Sequence, residues 1–174
     1  MTKSILGIIG GSGIYDLPGI ANVREERVAS PWGELSGPLR MGEIDSLPVV
    51  FLSRHDKGHR LSPSDINYRA NIDALKRAGV TDLVSLSACG SFKENLPPGT
   101  FVLADQFVDR THKRESSFFG KDMVAHVSMA HPVAPLLRKR LGEAALAEDI
   151  PICRERAFGA ILDPRLVADV DDPA

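Results

Sequence analysis

The first apolar stretch of the chain is short and rich in isoleucine. It covers residues 4–9 and leads directly into Gly10, Gly11 and Gly13. A run of this length that ends in glycines is typical of a buried strand followed by a tight turn. We therefore predict that the first strand lies at the centre of a sheet.

Three further stretches, residues 23–28, 35–44 and 47–53, are predicted strands because turn-forming residues separate them. The separating residues are Pro-Trp-Gly at 31–33, Gly-Pro at 37–38 and Asp-Ser at 45–46. Proline, glycine, aspartate and serine favour reversal of the chain. Consecutive strands joined in this way predict a β-meander.

A helix start is predicted at Ser62, with Pro63 in the first helical position and Asp65 near the positive end of the helix dipole. Residues 66–76 combine an apolar stripe with a charged face, and Gly79 supplies the stop.

The pattern then alternates between strands and helices. Residues 82–87 and 100–104 are predicted strands, and residues 133–148 have the leucine and alanine spacing of a second helix. This alternation predicts an α/β fold. Because the pattern weakens after residue 150, we predict a single domain over residues 1–150 and a poorly ordered tail over residues 151–174.

Composition narrows the range of partners. The chain has 174 residues, of which 43% are hydrophobic and 25% charged, as in an ordinary globular domain. A formal net charge of −2 provides no basic field for nucleic acid. The N-terminal residues resemble neither a signal peptide nor a membrane span. We expect a cytoplasmic protein that binds small molecules, with no nucleic-acid or membrane partner.

Two polar clusters follow predicted strands and are candidates for anion binding. In the first, Ser12 lies among glycines that let the backbone approach a phosphate, although a plain turn is the alternative. The spacing matches neither the dinucleotide fingerprint nor the P-loop, which argues against a nicotinamide-dependent oxidoreductase. In the second, Arg54 offers a planar fork and His55 a directional donor to an oxyanion, and a solvated polar loop is the alternative.

A third cluster of small residues follows the strand predicted at residues 82–87. Ser87 and nearby N–H groups there are able to donate to an anion. Cys89 suggests a nucleophile, but a buried structural cysteine is the better interpretation because no base is evident beside it. Two cysteines, Cys89 and Cys153, are too few for a disulfide framework or a zinc site.

His126, Met129 and His131 form a fourth cluster. Two histidines alone do not make a metal site, and we expect no metal here. Lining for a thioether or another hydrophobic group suits Met129 and a neutral His126 better, and a histidine in the core is the alternative.

Five segments together resemble the methylthioadenosine and purine nucleoside phosphorylase family. They are GIIGGSGIYD at 7–16, SRHDKGHRLSPSDINYRANIDALK at 53–76, SACGS at 87–91, PPGTFVLADQFVDRT at 97–111 and HVSMAHP at 126–132. The resemblance implies a mixed central sheet flanked by helices. The segment at 97–111 favours the methylthioadenosine branch over general purine nucleoside phosphorylases.

The resemblance also implies roles for particular residues. Ser12, Arg54, His55, Ser87 and Ala88 would surround phosphate, Ala88 through its backbone. His126 would reach across a subunit interface toward the 5′ end of the sugar, which implies a homotrimer or homohexamer.

The implied reaction is phosphorolysis of 5′-methylthioadenosine, with inorganic phosphate as co-substrate and no other cofactor. The aspartates that contact purine in the family have no counterpart up to residue 174, so no catalytic residue is assigned. We expect a phosphorylase domain that is incomplete at its C-terminus. The alternative is a non-catalytic phosphate-binding or subunit-interaction module.

Overall fold

A computed structural model describes residues 4–11, 14–56, 58, 60–109, 111, 114–115, 117–120, 122–153 and 158–161 of the chain. Its contacts divide the chain into two compact units. Unit 1 comprises Met1–Cys89 and Glu115–Phe118, and unit 2 comprises Gly90–Arg114 and Phe119–Ala174. None of the helices among the described residues is long and apolar enough to cross a membrane.

Unit 1 contains a five-stranded sheet and one helix. The elements are β1 (Leu6–Gly10), β2 (Ala21–Glu26), β3 (Leu39–Ile44), β4 (Leu47–Ser53), α1 (Tyr68–Arg77) and β5 (Asp82–Ser85). The strand order is β2-β3-β4-β1-β5. β2, β3 and β4 pair antiparallel, whereas β1 lies parallel to both β4 and β5. The predicted meander, the interior position of β1 and the α/β class with a mixed sheet are confirmed.

The core of unit 1 lies between the sheet and α1. Leu39, Val50 and Leu52 from the sheet contact Ala74 and Leu75 of the helix. All five side chains are buried. Burying a side chain of leucine or valine size stabilises a fold by about 1.5–3 kcal/mol, so this layer holds the neighbouring strands at fixed positions.

The helix begins later than predicted. Its N-cap is Asn67, whose side chain accepts a hydrogen bond from the backbone N–H of Ala70 at 3.1 Å. Ser62, the predicted cap, instead donates its hydroxyl to the carboxylate of Asp65. The proposed start at Pro63 is therefore wrong, because the side chains of Ser62 and Asp65 bond to each other in a turn that precedes the helix.

Unit 2 contains smaller elements. They are β6 (Phe101–Val102), β7 (Gln106–Asp109), α2 (Pro135–Ala147), β8 (Ile152–Cys153) and β9 (Phe158–Ile161). β6 pairs in parallel with β8, and β7 with β9. The second helix is confirmed, with Pro135 at its first position. The sequence pattern did not indicate β7, β8 or β9, and the predicted tail beyond Ile161 lies outside the described residues.

Candidate active site

Three parallel strands of unit 1 end at the same edge of the sheet. β1 ends at Gly10, β4 at Ser53 and β5 at Ser85. The backbone N–H of Arg54 donates to the carbonyl of Gly10 at 3.1 Å, which joins the ends of β4 and β1. Ligands of open α/β sheets bind outside the carboxyl ends of the strands. Two of the predicted clusters, around Arg54 and Ser87, therefore meet at this edge.

Arg54 and Ser87 are in direct contact. Nη1 of Arg54 donates to Oγ of Ser87 at 2.7 Å and lies 3.5 Å from the carbonyl of Leu86. Because the hydroxyl oxygen of Ser87 accepts from a cation, its own hydrogen is oriented away from that cation and is able to donate to an anion. Arg54 is half-buried and Ser87 is exposed. The pair places a fixed positive charge beside a hydroxyl donor at the open end of the sheet.

His55 is buried beneath this pair, with only 2% of its surface exposed. Its Nε2 accepts a hydrogen bond from Nε of Arg54 at 3.2 Å. Its Nδ1 lies 2.9 Å from the carbonyl oxygen of Leu61, which is only able to accept. A hydrogen on Nδ1 and a lone pair on Nε2 satisfy both of these contacts. The role of His55 at phosphate stays a prediction, and its ring N–H is already donated to Leu61.

Gly11 provides the space that the Arg54 side chain occupies. A Cβ at Gly11 would lie 2.6 Å from the carbonyl oxygen of Leu86 and 2.8 Å from Nη2 of Arg54. Both distances are shorter than a carbon atom tolerates, so only glycine fits between these groups. The sequence suggested that the glycines admit an anion, whereas Gly11 admits the guanidinium that would bind one.

The loop after His55 is held by contacts that the sequence did not indicate. The backbone N–H of Leu61 donates to the carbonyl of His55 at 3.3 Å, which closes the loop. Within it, Asp56 has a φ of +59° and pairs with Arg60. That hydrogen bond raises the pKa of the Arg60 guanidinium above its ordinary value. Backbone carbonyls such as that of Leu61 give no signal in a sequence pattern.

The remaining members of the first three clusters differ in position. Ser12 lies outside the described residues. Ala88 directly follows Ser87 and is exposed, as is Cys89. The expectation that Cys89 is buried is wrong, because β5 ends at Ser85 and the chain leaves the sheet before reaching the cysteine.

The fourth cluster belongs to unit 2. His126 and Met129 lie in an exposed segment without regular secondary structure. His131 is also exposed and lines an open cavity of about 710 Å³ with Arg138 and Glu143 among its other walls. The core-histidine alternative is therefore wrong for both histidines. Within the described part of the chain, no three His, Cys, Asp or Glu side chains are placed to hold a metal ion.

The sequence and fold of the chain match a known superfamily. Residues 5–161 match the family model of the phosphorylase superfamily, and the chain belongs to that superfamily. Within it, the chain is 72% identical to S-methyl-5′-thioadenosine phosphorylase of Bradyrhizobium diazoefficiens over 165 residues, which cover 95% of this chain and 57% of the relative. The enzyme of the same name from Saccharolobus solfataricus is 46% identical over 164 residues, 94% of this chain and 60% of the relative. The chain thus spans less than two thirds of either relative.

Solved structures agree with the fold. A methylthioadenosine phosphorylase from an antarctic soil metagenomic library matches with a TM-score of 0.84 and 43% identity, covering 92% of this chain and 56% of that one. Methylthioadenosine phosphorylase of Schistosoma mansoni in complex with adenine matches with a TM-score of 0.85 and 33% identity, covering 97% and 70%. The predicted nucleoside-phosphorylase-like fold is confirmed.

Proposed function

We propose that this protein acts in the phosphorolysis of 5′-methylthioadenosine, with its strand-end site binding inorganic phosphate. An oxygen of phosphate forms a bond to the anomeric carbon of the ribose, and the bond from that carbon to N9 of adenine breaks. The electron pair leaves with adenine, which takes up a proton. The products are adenine and 5-methylthioribose 1-phosphate.

The contact between Arg54 and Ser87 is the observation that carries this proposal. A guanidinium held at 2.7 Å from a hydroxyl offers two adjacent donors to one anion. Phosphate must be oriented against a sugar that gains positive charge as the purine departs. Fixed donors at a strand end contribute to that step through positioning and electrostatic preorganisation. The contact therefore supports phosphate as the attacking group.

The finer parts of the proposal rest on the resemblance to relatives. Ser12 and the backbone of Ala88 complete the phosphate site, and His55 belongs to that site beside Arg54. His126 of one subunit approaches the 5′-methylthio group in a neighbouring subunit of a homotrimer or homohexamer. The reaction needs no metal or organic cofactor. It would serve purine and methionine salvage in the cytoplasm.

The test has two readouts on the same protein. Millimolar phosphate should raise the melting temperature of the wild-type protein, because a ligand that binds only the folded state stabilises it. Arg54→Ala should lose this protection. Incubation with 5′-methylthioadenosine and phosphate should release adenine and 5-methylthioribose 1-phosphate in equal amounts, measured by chromatography and phosphorus NMR.

Arg24→Ala is the matched control, because Arg24 is an exposed arginine on edge strand β2 of the same sheet. It should keep both phosphate protection and product formation. Release of free 5-methylthioribose instead of the sugar phosphate would contradict phosphorolysis. Phosphate protection without adenine release would favour the phosphate-binding module, and faster cleavage of inosine would favour a general purine nucleoside phosphorylase.

A further inference from the structure

The arrangement around His55 differs from that of a residue that binds an anion through its side chain. A neutral imidazole has one N–H, and here Nδ1 directs it to the carbonyl of Leu61 at 2.9 Å. The other ring nitrogen, Nε2, presents its lone pair to Nε of Arg54 at 3.2 Å. A lone pair repels a phosphate oxygen and attracts a cationic N–H. The ring is therefore oriented to bind the arginine rather than the phosphate.

The contact fixes one end of the Arg54 guanidinium while Ser87 fixes another. Nε donates to His55 and Nη1 donates to Ser87 at 2.7 Å. Among the described residues, Nη2 has no hydrogen-bond acceptor, and it passes close to Gly11. Two anchors on different nitrogens of a planar group remove its freedom to rotate about the side-chain bonds. The remaining N–H groups are then held in one direction before a ligand arrives.

His55 is itself held on the protein side. Leu61 accepts from its Nδ1 and also donates its backbone N–H to the carbonyl of His55 at 3.3 Å. The ring is buried to 2% exposure, which leaves little room for another rotamer. The loop closure at Leu61 thus fixes the orientation of the imidazole ring, and the ring in turn fixes the orientation of the Arg54 guanidinium.

We propose that His55 is a positioning residue that acts on phosphate through Arg54, by presenting the lone pair of Nε2 to Nε of the guanidinium. This positioning role rests on the proposed function in one respect only, which is that phosphate is the anion bound at the site. The tautomer and the dependence on Arg54 are measurable whether or not adenine is released.

Two substitutions separate the two hydrogen bonds of the ring. His55→Asn places an amide N–H near the position of Nδ1, so it keeps a donor to Leu61 and loses the acceptor for Arg54. His55→Gln reaches the position of Nε2 with an amide oxygen, so it keeps the acceptor. Because a hydrogen bond to a charged group is at stake, His55→Asn should weaken phosphate binding about tenfold. His55→Gln should weaken it less, as measured by phosphate titration of the melting temperature.

The decisive comparison uses Arg54→Lys, which keeps the positive charge but has no Nε–H for His55 to accept. In that background, His55→Asn should cause no further loss of phosphate affinity, because the two residues act through one contact. If His55→Asn weakens binding equally in both backgrounds, the ring acts on phosphate directly and the proposal is overturned.

Nitrogen-15 NMR of the histidine-labelled wild-type protein supplies an independent readout. The His55 ring should show a protonated, pyrrole-like Nδ1 and an unprotonated Nε2, with and without phosphate. A hydrogen on Nε2 would overturn the proposal, even in a protein that binds phosphate normally. Wild-type phosphate affinity in His55→Asn would do so as well.

Discussion

The interior strand β4 of unit 1 and the strands of unit 2 all contain apolar residues, but their surroundings are very different. Residues 49–52 in the middle of β4 are almost completely buried, whereas Phe101 of β6 is 57% exposed and Val108 of β7 is 52% exposed. The helices differ in the same way. α1 has four buried residues, two of which pack in the core with the sheet, and Gly142 is the one buried residue of α2. Strand sequence alone therefore does not determine how firmly a strand is held.

The difference matters because the candidate phosphate residues that the structure describes belong to unit 1. Arg54 and His55 follow β4, and Ser87 lies two residues beyond the end of β5. β4 has buried residues in its middle, and side chains that follow such a strand keep their geometry without a ligand, which is what preorganised binding requires. His126, in contrast, lies in an exposed segment of unit 2. Of these residues, Arg54 and His55 are thus the ones that directly follow a buried strand.

The largest expected effect is on the core beneath the site. Leu52→Ala in β4 should lower the free energy of unfolding by about 2–5 kcal/mol, because it leaves a cavity where the leucine is 0% exposed. Leu136→Ala in α2 makes the same chemical change at 61% exposure and should cost less than about 0.5 kcal/mol. Urea unfolding followed by circular dichroism measures both. Equal losses for the two variants would remove the distinction between the units.

A smaller effect is expected where a glycine makes room for Arg54. Gly11→Ala should cost about 1–3 kcal/mol, because the added Cβ forces the carbonyl of Leu86 or the guanidinium to move. It should also weaken phosphate protection. Gly90→Ala in unit 2 is the matched control, because a Cβ there meets nothing within 4 Å. Thermal unfolding with and without phosphate measures both variants, and unchanged protection in Gly11→Ala would show that the Arg54 side chain has other space available.

The sequence predicted the strand ends next to Arg54 and Ser87 better than it predicted the start of α1 and the short strands of unit 2. Glycines and serines after apolar runs placed Arg54 and Ser87 at strand ends, and parallel pairing of β1, β4 and β5 then brought those ends together. The start of α1 was missed because Ser62 and Asp65 satisfy each other before the helix begins. The strands β8 and β9 were missed because two to four residues are too few for hydrophobic periodicity to be recognised.

The contacts of His55 could not have been predicted for a different reason. Leu61 takes part through its backbone carbonyl, which every residue possesses. The sequence therefore indicated that a histidine follows the arginine, but not which ring nitrogen faces it. That choice follows from the closure of the loop between residues 55 and 61, which is a tertiary property.

The smallest effect concerns charge, and it tests whether unit 2 has ordered local structure of its own. In unit 2, Asp109 accepts hydrogen bonds from the hydroxyl and the backbone N–H of Thr111, at 2.7 and 2.8 Å. These bonds lower the pKa of the Asp109 carboxyl. Because the pKa is lowered in the native state, the stabilisation from these two hydrogen bonds is fully present above the unfolded-state pKa of about 3.9. It is lost as the pH falls through the native-state pKa.

Thr111→Val removes the hydroxyl donor and should therefore speed hydrogen exchange at residue 111 slightly at pH 6, by an amount corresponding to less than about 1 kcal/mol because the group is exposed. At a pH below both the native and the unfolded pKa of Asp109, the variant and the wild type should exchange alike. The protonated carboxyl of Asp109 then no longer favours the hydrogen bond from the Thr111 hydroxyl. Arg77→Ala is the corresponding variant in unit 1. It removes the hydrogen-bond donor that is the main cause of the lowered pKa of Asp73. If the amide of residue 111 shows no protection at any pH while those of α1 do, unit 2 lacks this local order, and the contrast between the two units is greater than the buried surface alone indicates.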